Sequence, residues 1–476
     1  AISRLDLGPN PSHSSAKDFC HGLLGMHMES SAHHRQPNIL FILADDWGYG
    51  DLGCYGNEEI QTPCLDRLAG QGTRYTRFYV TSCVCSPSRC SFITGHYPGR
   101  WQVHAHFARY DANERRHMPN WLDIESPSLP RLMQAHGYRT AHYGKWHLGG
   151  GGGIHGHPDA PFVREYGYDD TRTWNGNGPT WYETTPWPFT LYNDSDAVWA
   201  ANSSRLAVDA TIEFIKQDLT RPFFVNLWLK DPHTPLHPTE EQRAPFKHLP
   251  EPQQTYYSVI HNADRQIGRL LDALDELGVA DHTLVIFSSD NGPEHVREHL
   301  GTYGSVLHLR GRKHCIFDGG IRVPFIARWP GHTPVGRVID DTWISAVDLV
   351  PTFLDVAGIP VPCSWHPDGV SALSALHGRE FRRGMPMMWE WRNADCTRND
   401  EAIAGWPMLG IRQEEFMLLM NPVTGQQALY DTYADEAQRR DLVADKPELA
   451  RSLAGQIEEY SRSLPGYATR PGAPDG

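Results

Sequence analysis

A run of small and reactive side chains, Cys85-Ser86-Pro87-Ser88-Arg89, continues as Cys90-Ser91-Phe92-Ile93-Thr94-Gly95. Pro87 suits the first turn of a helix, where a missing N–H costs nothing. Cys85 then sits at a helix N-terminus, where unpaired N–H groups and the dipole favour an anion. Arg89, four residues on, returns to the same face and adds a fixed positive charge. The bland alternative for this run is a buried structural cysteine beside a capping proline.

Other chemistry-bearing residues follow apolar runs. Asp45 and Asp46 end the run 37–44, and adjacent carboxylates repel each other unless a cation sits between them. Lys145 and His147 lie in Gly144-Lys145-Trp146-His147-Leu148-Gly149, after the short run 138–143. His233 stands in Asp231-Pro232-His233-Thr234-Pro235 after 223–229, and Asp290-Asn291 follow 283–287. Lys313 stands in Gly311-Arg312-Lys313, ahead of Asp318-Gly319-Gly320-Ile321-Arg322-Val323-Pro324. Asp45, Asp46, Asp290 and Asn291 offer oxygen donors, which suit Ca²⁺ or Mg²⁺ and not zinc. Taken singly, each pair reads as ordinary loop acids or an Asx turn. His104 and His106 are weaker candidates for the same pocket.

The elements that must position these residues are legible from periodicity. Continuous apolar runs of strand length read as strands buried on both faces of a parallel sheet. Between them lie helices over 128–136, 203–217, 256–277 and 345–357, and a short one opened by Thr62-Pro63. In 256–277 an apolar stripe runs through Ile260, Ala263, Ile267, Leu270, Leu271, Leu274 and Leu277. Open α/β sheets bind ligands at the carboxyl ends of their strands, where the polar pairs fall. The expectation is an α/β fold with a mostly parallel central sheet flanked by helices. Residues 36–375 form the catalytic domain and 376–476 a smaller C-terminal α+β subdomain closed by a helix over 447–464. Residues 155–200 are aromatic without a period and read as a long irregular insertion, for stacking on a sugar or aryl ring or for lid packing. Residues 1–35 read as an N-terminal extension outside the fold, with Met26 or Met28 as alternative starts.

Composition narrows the function. A formal net charge of −14 argues against nucleic acid and anionic membrane surfaces as partners, so an anionic substrate needs a local basic pocket. No apolar run approaches the ~20 residues of a membrane-spanning helix. The nine cysteines are an odd number, with Cys85 the natural unpaired one, and no spacing reads as a zinc site. No signal-peptide h-region is evident. The compartment stays open between periplasm, secretion and cytoplasm.

Taken in order, L-x-D-D-x-G-Y-G-D, C-S-P-S-R, G-K-W-H-L-G, D-P-H-T-P, S-D-N-G and G-R-K…D-G-G-I-R-V-P resemble the successive blocks of the type I, formylglycine-dependent sulfatases. These belong to the alkaline-phosphatase superfamily, and the resemblance is of the arylsulfatase and N-acetylgalactosamine-6-sulfatase kind. Leu429-Tyr430-Asp431 onward resembles the family's C-terminal L-Y-D-L-x-x-D. Ile93 stands where the family has Leu, and Asp318 where it commonly has Glu. The resemblance implies an alkaline-phosphatase-like fold and hydrolysis of a sulfate monoester, with a carbohydrate O-sulfate as the expected substrate. It implies that Asp45, Asp46, Asp290 and Asn291 hold a cation, usually calcium, with magnesium the alternative. Cys85 would be converted by a formylglycine-generating enzyme to the nucleophile's precursor. Arg89 and Lys145 would hold the diol and the sulfate oxygens, Lys313 and His233 the sulfate, with His233 facing the leaving group and His147 the diol's second hydroxyl. The competing enzyme reading is a formylglycine phosphonate or phosphate ester hydrolase. The non-enzyme reading is an inactive protein that binds sulfated glycans.

Overall fold

The strand β1 (Asn38–Ala44) has the sequence NILFILA, and all of it is buried. Its side chains alternate between two cores, Ile39, Phe41 and Leu43 entering one and Leu40, Ile42 and Ala44 the other. A strand that buries both faces belongs in the middle of a covered sheet. The computed structural model describes residues 36–108, 110–149, 160–174, 197–392 and 406–466. There β1 lies between β5 and β6 of a large sheet.

That sheet contains nine strands: β1, β2 (Thr73–Tyr79), β3 (Arg139–Lys145), β4 (Asp170–Trp174), β5 (Phe223–Trp228), β6 (Thr283–Ser289), β7 (Arg322–Arg328), β8 (Arg337–Ile339) and β9 (Ile344–Ser345). Their spatial order is β4-β3-β5-β1-β6-β7-β2-β8, with β9 also on β2. β4 to β6 are mutually parallel. β7 is antiparallel to both β6 and β2, so β2 points the same way as β1. The expected mostly parallel sheet is present.

Helices Pro63–Gln71, Ala197–Gln217 and Gln253–Glu276 cover one face, contributing Leu65, Val208, Ile260 and Leu270 among others to its core. Helices Cys85–Thr94, Leu129–Ala135 and Leu349–Ala357 cover the other, with Phe92, Met133 and Phe353. The C-terminal part builds an antiparallel sheet of β10 (Met387–Glu390), β11 (Leu409–Gln413), β12 (Phe416–Met420) and β13 (Gln427–Asp431). On β12, Met417 and Leu419 join the core of the large sheet. Leu418 and Met420 face Leu453 and Ile457 of the helix Pro447–Ser463.

One expectation is corrected. Within 155–200, residues 160–174 are regular: a 3-10 turn at Val163–Tyr166 precedes β4, which pairs with β3 from Ala141↔Asp170 to Lys145↔Trp174. The strand hides in sequence because an edge strand carries polar residues, here Asp170, Thr171, Arg172 and Thr173. Trp199 belongs to the helix Ala197–Gln217. Trp181, Trp187, Gly150–Gly153 and the expected extension 1–35 lie outside the described residues. Among the described residues, Cys85 is a free thiol. Among the described residues, no helix is long and apolar enough to cross a membrane.

Candidate functional site

The parallel strands all end at one edge, and the polar candidates follow those ends. Asp45 and Asp46 succeed β1, Lys145 closes β3 with His147 two residues on, and Asp290 and Asn291 succeed β6. The loop after β5 is tied down by Lys230 Nζ, which donates to the carbonyls of His233 and Pro235 at 2.8 and 3.0 Å. β2 runs toward the helix Cys85–Thr94, every residue of which is buried. Two glycines allow the segments to close up. Gly144 has φ +104°, and a Cβ there would lie 1.9 Å from the Trp228 carbonyl of β5. A Cβ on Gly292 would lie 2.0 Å from the Gly319 carbonyl, so only glycine lets the loop after β6 meet the Asp318–Ile321 turn.

The sequence candidates converge around Cys85. Its Sγ donates to Asp45 Oδ1 at 3.3 Å and lies 3.6 Å from Lys145 Nζ. Lys145 Nζ donates to Asp45 Oδ2 at 2.5 Å, and Lys313 Nζ to Asp46 Oδ2 at 2.6 Å. His233 Nε2 lies 3.6 Å from the same Asp46 oxygen. Asn291 Nδ2 donates to Asp46 Oδ1 at 2.7 Å, and the Asp46 amide to Asp290 Oδ1 at 3.2 Å. Arg89 is placed more deeply than a face-sharing charge. Its Nε and Nη2 donate to Asp290 Oδ2 at 2.9 and 2.7 Å, its Nη1 donates to the Lys145 carbonyl at 2.6 Å, and its guanidinium packs on Trp228. His147 Nε2 is 3.0 Å from the Phe107 carbonyl. Of the weaker candidates, His106 has its ring 6.4 Å from His147, whereas His104 bonds the Arg116 carbonyl.

Charges in this buried place perturb one another strongly. Burial pushes Asp46 up to about 7, with Asp45, Asp290 and Glu294 adding to the effect and Lys313 opposing it. Burial and the Asp45 charge also raise Asp290 against the pull of Arg89. Asp45 lies well below the carboxylate range: burial opposes this, but Lys145, His233, Arg89 and Lys313 outweigh it. Burial, then the two lysines, keep His233 neutral, and burial with Lys145 does the same for His147. Burial and the flanking carboxylates keep the Cys85 thiol protonated.

The donor set fits a hard divalent cation. Asp45, Asp46, Cys85 and His233 each offer an atom within 4.8 Å of the others. Asn291 Oδ1 is buried and has no hydrogen-bond partner. Carboxylates raised by burial and, to a lesser extent, by one another, beside an orphaned amide oxygen, are the groups such a cation would satisfy. Two rim residues were not singled out in sequence. Glu294 lies two positions past S-D-N-G and His314 directly follows Lys313; this adjacency was the only signal available.

The family described as Sulfatase matches residues 37–359, and that described as N-sulphoglucosamine sulphohydrolase, C-terminal, matches 311–463. Human N-acetylgalactosamine-6-sulfatase is 32% identical over 382 residues, covering 75% of this chain and 69% of that protein. Among solved structures, Ps i-CgsB in complex with k-i-k-neocarrahexaose aligns with TM-score 0.73 and 25% identity over 90% of this chain and 93% of that one. The phosphonate monoester hydrolase of Agrobacterium radiobacter shares the fold, with TM-score 0.64 at 22% identity over 89% of this chain and 95% of that one. A helix N-terminus that presents Cys85 to two lysines and three aspartates, in a chain matched along this length, leaves one assignment: it belongs to the sulfatase family, the sulfuric ester hydrolases.

Proposed function

We propose that this sulfatase hydrolyses a carbohydrate O-sulfate monoester, using formylglycine formed from Cys85 and a divalent cation, Ca²⁺ or alternatively Mg²⁺, held by Asp45, Asp46, Asp290 and Asn291. The observation that carries the reading is the position of Cys85 Sγ, 3.3 Å from Asp45 and 3.6 Å from Lys145 at a helix N-terminus. The relatives named above support a sulfated sugar as substrate. The proposal includes a formylglycine-generating enzyme as the maturation partner.

Hydrated formylglycine supplies two hydroxyls on one carbon, one to attack sulfur and one whose deprotonation later releases sulfate and restores the aldehyde. The cation, when bound, adds positive charge beside the sulfate oxygens. The protein's own residues do the rest. Lys145 and Lys313 neutralise the sulfate oxygens, which stay negative while the S–O bond to the alcohol breaks. Arg89 acts from beneath, orienting Asp290 through two hydrogen bonds. His233 Nδ1 is engaged with the Thr234 carbonyl at 2.7 Å, so Nε2 is the atom that hands a proton to the leaving alkoxide. The bound sulfate offsets the two lysines, which add to burial in keeping this ring neutral. His147 Nε2 is engaged with Phe107, and its Nδ1, buried and without a partner, takes the proton of the second hydroxyl.

The test uses protein produced together with a formylglycine-generating enzyme. It should release inorganic sulfate from 4-nitrophenyl sulfate and from at least one sugar sulfate. Peptide mass spectrometry of residues 75–100 should place the aldehyde on Cys85 alone, leaving Cys83 and Cys90 as thiols. Metal analysis should return about one Ca²⁺ or Mg²⁺ per chain. Faster turnover of a nitrophenyl phosphonate ester, only zinc in active protein, or full turnover with Cys85 entirely as thiol would each overturn a part of this proposal.

A further inference from the structure

Burial grades outward from the nucleophile and thereby locates the open side of the site. Asp45, Arg89 and Lys145 are fully buried and Cys85 is 2% exposed. The side chains of His233, His314 and Glu294 are 12, 13 and 17% exposed. These three line the more open side of the site among the described residues, and of them only His233 has a role so far.

The geometry points to Glu294 and His314 as the residues that recognise the leaving alcohol, selecting one with a hydroxyl or amide N–H within reach of the ester and no second anion there. This inference rests on the sulfatase mechanism proposed above.

The two residues are brought together by the backbone. The Lys313 amide donates to the Pro293 carbonyl at 3.0 Å, which sets the segments side by side, and His314 Nε2 lies 4.0 Å from Glu294 Oε2. The His314 amide donates to the Cys83 carbonyl at 3.0 Å, two residues from the nucleophile. His314 holds φ +69°, in the left-handed region that non-glycine residues adopt infrequently. Of the eight non-glycine residues with positive φ among those described, three are Asp46, His147 and His314. The rings of His106 and Trp391, 6.5 and 5.9 Å away, flank that of His314 and form a wall.

Glu294 is the unexpected group. Burial works against its charge, yet Lys313, His314, the His295 amide and Arg297 hold it ionised, down to about 2. A fixed negative charge beside a sulfate-binding lysine opposes anion binding, so sulfate does not explain it. A carboxylate only accepts hydrogen bonds, so its ligand partner must donate. A sugar hydroxyl or acetamido N–H near the ester, such as the C4 hydroxyl of a 6-sulfated galactose, supplies that donor. A second sulfate, a uronate carboxylate or the extra charge of a phosphate monoester meets repulsion there.

The experiment compares fully converted wild-type enzyme with Glu294→Ala and Glu294→Gln on 4-nitrophenyl sulfate, N-acetylgalactosamine 6-sulfate, galactose 6-sulfate and N-acetylgalactosamine 4,6-disulfate. Glu294→Ala should lower kcat/KM on the monosulfated sugars about tenfold more than on the nitrophenyl ester, chiefly through KM. Glu294→Gln should raise the disulfate-to-monosulfate ratio of kcat/KM by about tenfold. Parallel losses on sugar and nitrophenyl esters with an unmoved ratio would show that Glu294 only supports Lys313, overturning the inference. So would wild-type enzyme that cleaves the nitrophenyl ester but neither sugar monosulfate. Wild-type enzyme that releases no sulfate even from the nitrophenyl ester would instead sink the mechanism beneath it.

Discussion

The two sheets of this protein follow one packing rule and reach opposite ends. Both bury both faces: β1 alternates its side chains between two cores, and β12 does the same with Met417 and Leu419 against Leu418 and Met420. Strand direction separates them. In the large sheet β1, β2, β3, β5 and β6 point the same way, so their following loops gather at one edge. In the antiparallel C-terminal sheet successive strands end at opposite edges, so the connections divide between the two. Buried charge follows that difference. Asp45, Asp46, Asp290, Lys145 and Lys313 cluster at the parallel edge, whereas the buried Arg412 of β11 bonds Thr432 and Tyr79. Burying charge is costly unless it is paired, so a cluster of this size belongs at a working edge.

The comparison breaks most sharply at Cys85. Cys85→Ala should cut sulfate release by about 10⁴-fold or more with little change in thermal stability, since it removes the group proposed to become the nucleophile. Activity retained in this variant would remove the parallel edge from the chemistry. The next effect is selective. His233→Ala should cost about 10² to 10⁴ on sugar sulfates, whose alkoxides need a proton. It should cost far less on nitrophenyl sulfate, and an equal loss on both would reduce His233 to a sulfate ligand.

A third prediction concerns acid. His142 on β3 is enclosed by Trp146, Tyr168 and Trp228, and burial, with Arg89 assisting, pushes it down to about 3. The unfolded chain takes up that proton near its ordinary value of about 6.5. Between these values the unfolded state binds more protons, so stability falls as pH drops from about 6.5 and levels off near 3. Urea unfolding at pH 7 and 4.5 should show wild type losing about 2 to 3 kcal/mol more than His142→Gln. Equal losses would mean the ring is already charged when folded. The smallest effect on turnover belongs to the other sheet. Leu453→Ala should cost about 2 to 5 kcal/mol of stability, since Leu453 is fully buried under β12. Its kcat should stay within about twofold of wild type at a temperature where it remains folded. A larger loss would join the C-terminal sheet to catalysis.

Much of the site was legible because its residues follow long apolar runs, which announce buried parallel strands and so their common edge. Asp45, Lys145, His233 and Asp290 could be placed together without coordinates for that reason. β4 was not legible, because an edge strand lacks the apolar run that marks a central one. The depth of Arg89 was not legible either: spacing along a helix gives the face but not whether Asp290 will meet it. Glu294 and His314 were missed because their roles come from one backbone contact, between Pro293 and Lys313, that joins segments about 20 residues apart.

The depth of Cys85 bears on the order of events in the cell. At 2% exposure, inside a helix that is buried throughout, its thiol cannot enter the active site of another enzyme once the sheet has closed over it. If Cys85 is oxidised as proposed, that must happen while this segment is still extended. Maturation and folding then race for the same stretch of chain. A copy that folds first is locked, correctly shaped and inert, so the specific activity of a preparation records which of the two was faster.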